Sequence, residues 1–95
     1  MFVVLLRFST NKGEASRLMA DHNAWIRRNF DEGVFLLAGG IKPGLGGAIL
    51  AYATSLADLQ KRIGDDPFVA QGVVAAEIIE LSPSKADDRL SFLLV

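Results

Sequence analysis

An α+β fold with the element order βαββαβ is what this sequence predicts, and three observations predict it. Four short runs rich in branched and aromatic residues alternate with two stretches whose apolar residues recur at helical spacing. Between the second and third runs lies only the glycine-rich AGGIKPGLGG, which punctuates a hairpin connection, so those two strands are adjacent and antiparallel. At 95 residues the chain makes one domain that buries only about 60–65% of its unfolded surface, so a partner adding burial would help it.

Each element has its own signal. Residues 2–8, FVVLLRF, are β-branched and aromatic and stop at the polar cluster STNKG, which marks a strand and a turn. Asn11 stands where a helix cap belongs, with Glu14 three residues later in capping-box spacing. Ala15, Leu18, Met19, His22, Ile26 and Phe30 then follow at helical spacing as far as Gly33. GVFLLAGG and GGAILAYA are the two hairpin strands. TSLADLQKRIG opens with Ser55 and Asp58 in capping-box spacing, sets Leu56, Leu59 and Ile63 on one face, and closes on Gly64. In DDPFVAQG an aspartate precedes a proline, the usual order of cap and first helical residue, so one further helical turn is predicted up to Gly72. VVAAEIIEL, residues 73–81, is the last clear strand and stops at SPSKADD. The domain therefore spans residues 1–83. Residues 84–95 form a tail whose apolar end, RLSFLLV, reads as a short added strand.

This order is that of the ferredoxin-like fold, a four-stranded antiparallel sheet with two helices on one face. The strands are apolar on both sides, whereas two helices cover only one. The open side is expected to meet a second copy, sheet against sheet, giving a homodimer with a barrel-like core.

Composition narrows the partners. With ten basic and eleven acidic residues the net charge is −1, so no field steers a polyanion and no nucleic-acid partner is expected. The first strand has no preceding basic region, Arg7 interrupts it, and no apolar run approaches a membrane span, so no membrane partner is expected either. The chain has no cysteine, hence no disulfide and no thiolate nucleophile or metal ligand. A cytoplasmic location is the default expectation.

His22 is the only histidine, and it shares the inner helix stripe with Leu18 and Ile26. An imidazole left unpaired there costs about 1–3 kcal/mol, so a hydrogen-bond partner is expected. Two readings stand: a satisfied structural histidine, or an acid/base or binding group. One histidine without cysteine would need several carboxylates for a metal site, so no metal is expected. Asp66 has the best claim as partner, because both helices lie on the same sheet face; Asp65 is the alternative carboxylate. Asp66 also reads simply as a helix cap. A His–Asp pair would fix the tautomer of the ring and leave its other nitrogen free for proton transfer.

The glycine-rich run lacks the Gly-Lys-Ser/Thr ending of a phosphate loop and joins two strands instead of a strand and a helix. Backbone N–H groups around Gly39 and Gly40 can nonetheless approach a ligand and hold developing negative charge. Arg7 either reaches a pocket or points outward from the strand end. Trp25 reads as packing before it reads as a surface for stacking substrate, and Arg27 and Arg28 as a solvated face.

Taken together, DHNAWI, GVFLLAGGI, GGAILAYATS and DDPFVAQGVVAAEIIEL resemble the YCII-related (YciI-like) family over nearly residues 1–83. The histidine combined with DPF is the more specific part of the resemblance. It implies a dimeric α+β barrel, similar to the muconolactone isomerase and antibiotic-biosynthesis monooxygenase folds. It also implies an active site formed by a histidine and an aspartate, here His22 and Asp66. Some members resemble dehydrochlorinases of chlorinated-aromatic breakdown, which implies cofactor-independent acid/base chemistry on a small cyclic or aromatic molecule. Arg7, Gly39, Gly40, Trp25 and Phe68 complete the candidate substrate-contacting set. AGG stands where the family often has AGP, and the tail lies outside the family pattern. The competing reading is a non-catalytic ligand-binding or assembly module on the same dimeric barrel.

Overall fold

Alternation along FVVLLRF sets the two faces of the sheet. Phe2, Val4 and Leu6 are buried, Val3 and Leu5 are half-buried, and Arg7 is exposed. The computed structural model describes residues 1–94. Its elements are β1 (Phe2–Phe8), α1 (Ala15–Asp31), β2 (Phe35–Ile41), β3 (Gly46–Ala51), α2 (Leu56–Gly64), α3 (Pro67–Ala70) and β4 (Val74–Glu80). The strands form one antiparallel sheet in the order β2-β3-β1-β4, the ferredoxin-like arrangement. Val4 and Ile49 are partners across β1 and β3 and stand in the core with Ala51, under Leu18 and Trp25 of α1 and Leu59 and Ile63 of α2. Full burial of a side chain the size of Leu59 contributes about 2–3 kcal/mol.

The helices begin and end for local reasons, with one departure. Ser55 caps α2 by accepting from the Asp58 amide at 3.1 Å. Asn11 does not cap α1: its side chain instead donates to the Gln71 carbonyl at 2.7 Å, and Glu14 pairs with Arg17 at 2.7 Å. Tying the start of the helix to the end of α3 wins over the local capping box, and a 3₁₀ turn over Lys12–Glu14 leads into α1. The buried stripe of α1 is Leu18, Trp25 and Asn29, whereas Met19 and Phe30, expected on the inner face, are exposed. Trp25 takes that room by meeting Phe35 edge-on at 5.3 Å and donating from Nε1 to the Arg62 carbonyl at 2.9 Å.

A register shift in β2 between Phe35 and Leu37 re-phases the strand. Phe35 pairs with Ala51 on the helix side, and Leu37 pairs with Leu50 on the other. That other side carries Val3, Leu5, Leu37, Leu50 and Ile79 with no element over them, Leu37 being 54% and Ile79 42% exposed. An Arg7–Glu77 ion pair of 2.9 Å lies among them.

Among the described residues the tail forms no added strand. Asp88–Leu94 is a 3₁₀ segment kinked at Leu90, and Val95, the last residue of the expected strand, lies outside the described residues. Asp87 starts it: its carboxylate accepts from the Arg89 amide at 3.0 Å and its carbonyl from Leu90 at 2.8 Å, so the backbone turns instead of pairing with β4. The Arg89 side chain beside it holds the Asp87 carboxyl below its ordinary range. Phe92 rests edge-on against Tyr52 at 5.2 Å.

The hairpin ends on a close approach. Gly46 has φ +135°, and a Cβ there would sit 2.0 Å from the Leu6 carbonyl oxygen of β1. Gly46→Ala is therefore expected to lose about 2–4 kcal/mol in urea unfolding. Gly13→Ala, where a methyl meets open space, should stay within about 0.5 kcal/mol of wild type.

Candidate active site

Two helices bring the candidate pair together. His22 lies one turn after Leu18 on α1, so its ring is held toward the sheet and is 12% exposed. Asp66 is kept extended by the proline that follows it, at φ −64° and ψ 122°, and is fully buried. His22 Nδ1 lies 2.7 Å from Asp66 Oδ1. The same Oδ1 accepts from the Phe68 amide at 3.0 Å, so one oxygen both caps α3 and holds the imidazole. Oδ2 is buried without a donor from any described residue. In the neutral ring, with the carboxylate as acceptor, Nδ1 would carry the proton and Nε2 the lone pair. Asp65, the alternative carboxylate, caps the end of α2 through its backbone and lines a different cleft.

Phe68 fixes the plane of the ring. It stacks on His22 at 3.9 Å between centroids and 5° between planes, while Trp25 lies at 5.8 Å. Phe68 therefore covers one face of the imidazole.

Space beside His22 comes from missing side chains. Gly40 and Gly47 pair across β2 and β3 at a sheet position facing α1, where no side chain fills the layer. A cavity of about 170 Å³ lies there, bounded by His22, Asn23, Phe8, Phe68 and the glycines. A second, of about 210 Å³, continues past His22 to Ile26, Ala38 and Ile49, and shares Leu6, Gly39 and Gly47 with the first. Each approximates the roughly 150 Å³ that accommodates benzene.

Of the sequence-predicted residues, His22, Asp66, Phe68, Gly39 and Gly40 come together here. Arg7 does not: its guanidinium is on the opposite face of the sheet, paired with Glu77, because strand alternation turns it away from Leu6 and Phe8. Trp25 does not line either cavity either. Its indole is buried in the α1–α2 contact, at the floor of a larger cleft of about 540 Å³ that holds Arg28, Glu32, Lys61 and Arg62. In that cleft Arg62 already donates to Asn29 and Glu32. Asn23 and Met19 on the cavity wall were missed by sequence reasoning, since Asn23 sits off the apolar stripe and only its adjacency to His22 marks it. Among the described residues, no cluster of three or more acidic, histidine or cysteine side chains is placed to hold a metal ion.

Comparisons with known proteins agree with this geometry at the level of fold. A family model described as the YCII-related domain matches residues 1–82. A search of curated proteins found no match. Among solved structures, 5-chloro-2-hydroxyhydroquinone dehydrochlorinase (TftG) from Burkholderia phenoliruptrix AC1100, in complex with 2,5-dihydroxybenzoquinone, superposes with a TM-score of 0.68 at 16% identity. The match covers 85% of this chain and 93% of that one. At that identity the likeness establishes the shared fold.

Because one carboxylate oxygen serves both bonds, the two residues should couple strongly. In a cycle of His22→Ala, Asp66→Ala and the double variant, urea unfolding is expected to give a coupling of about 1–2 kcal/mol. Additive losses would mean that the contact contributes nothing to stability.

Proposed function

This chain belongs to the YCII-related family, and from that premise we propose that it is a cofactor-independent, cytoplasmic acid/base enzyme acting on a small cyclic or aromatic molecule. The observation that carries the proposal is the His22–Asp66 contact at the edge of two ring-sized cavities. Asp66 holds the Nδ1–H, so Nε2 takes a proton from a hydroxyl or an acidic C–H of the bound ring. The electron pair left behind moves through the ring. It is quenched when the imidazolium returns the proton to a ring carbon; where that carbon bears chlorine, loss of a second hydroxyl proton to Nε2 then expels chloride and leaves a quinone. Backbone at Gly39 and Gly40 borders the place where negative charge would develop. A fold shared with a dehydrochlorinase supports the elimination as the first chemistry to examine.

The same proposal takes the working unit to be a homodimer. Val3, Leu5, Leu37, Leu50 and Ile79 form an apolar face without a cover, and a second copy laid sheet to sheet would bury it on both sides.

Chloride release from chlorinated hydroxyhydroquinones, and deuterium exchange into ring positions of related phenols, test the chemistry. His22→Gln is expected to lower kcat by about 10²–10⁴-fold, with KM changed far less and the fold retained. If wild type turns over no member of the panel and His22→Ala costs only stability, the pair belongs to a binding or assembly module instead. In sedimentation velocity the wild type is expected at twice the 10.2 kDa protomer mass, and Leu5→Glu as a folded monomer. A wild-type monomer would remove the dimer from the proposal.

A further inference from the structure

The cavity walls differ sharply from the rest of the surface. Leu6, Phe8, Met19, Phe68 and Val74 surround the first cavity, and its polar side chains are His22 and Asn23. The second is lined by Leu6, Ile26, Ala38 and Ile49 with His22. Among the described residues no lysine or arginine lines either one. Lys12 Nζ lies 4.7 Å from the ring centre of Phe8, a wall residue, over that ring's face. Behind the imidazole stands the buried Asp66 carboxylate, with an oxygen that no described donor neutralises. An anionic substituent entering this space would lose water, gain no cation and approach a like charge.

Asn23 supplies what neutral oxygen substituents need. It neighbours His22 on α1, lines the first cavity and is exposed, so its amide is reachable from solvent. An amide offers both a donor and an acceptor, so it can satisfy either a hydroxyl or a carbonyl group.

We propose that the substrate is a single uncharged ring bearing hydroxyl or carbonyl groups, one of them bound by Asn23, and that rings bearing a fixed carboxylate, sulfonate or phosphate are rejected. This rests on the reading of His22 as the acid/base group, and it narrows that reading from cyclic molecules in general to neutral phenols and quinones. Asn23 acts here as a specificity-determining residue.

The test is a matched pair of probes: hydroquinone, and gentisate, the same ring with a carboxylate added. Each is titrated into the 95-residue chain while the ring signals of its single histidine are followed by NMR. Hydroquinone is expected to shift the His22 signals saturably, and gentisate to bind at least about tenfold more weakly. Asn23→Ala should weaken hydroquinone by about tenfold while leaving benzene, which has no group for the amide, within about twofold. Asn23→Lys should bring gentisate level with hydroquinone. Gentisate binding as tightly as hydroquinone to wild type would overturn the proposal, as would loss of that binding in Lys12→Gln, which would show a cation at the site. Failure of hydroquinone to move the His22 signals at millimolar concentration would overturn it too. All of these outcomes are read from binding alone, so none is confused with the turnover of His22→Gln, by which the acid/base reading stands or falls.

Discussion

Asp66 has no surface in contact with solvent, yet it holds two elements in place with one oxygen. Pro67 sets the backbone ahead of α3, the Phe68 amide fixes the carboxylate, and the carboxylate fixes the His22 ring across from α1. Phe68, the residue whose amide makes that cap, also lays its ring flat on the imidazole. The position and plane of the His22 ring therefore follow from a few residues of local helix-start geometry. Capping and pairing are not competing roles for Asp66: the cap is what aims the pair.

A second constraint is subtractive. Helix α1 crosses the sheet over Gly40 and Gly47, and because neither has a side chain, His22 faces a cavity instead of a packed core. The shift of register in β2 matters for the same reason, since it puts Ala38 and Gly40 on the helix side and Leu37 on the open side. Gly46 lets β3 pass within contact of the Leu6 carbonyl, which brings the end of the hairpin against β1. The run AGGIKPGLGG thus acts through volume and backbone approach, without any phosphate-loop geometry.

The two faces of the sheet carry different side chains. The helix side carries the histidine, the carboxylate and the ring-sized space, while the open side carries branched side chains and the Arg7–Glu77 pair. The tail extends past the family's residues 1–82 and sets Phe92 against Tyr52, adding apolar surface beside Leu90 and Leu94 at one end of the molecule. The proposed ring chemistry on one side and the proposed association on the other are physically compatible, because strand alternation keeps their residues apart.

By itself the sequence determined the element order and the caps at Ser55 and Asp66, because propensity and capping are local facts, and a shared sheet face let it offer Asp66, with Asp65 as the alternative, as the partner of His22; the tertiary structure chose between them. The sequence did not determine what long-range packing decides. Asn11 leaves its expected cap for a carbonyl across the fold, Trp25 takes the core position between the helices, and Asp87 turns the tail away from the sheet. Arg7 and Asn23 show the same division within the site. Which side of the sheet Arg7 occupies, and whether Asn23 borders a cavity, depends on register and on the side chains missing at paired glycines, and pairing is created only when the strands meet.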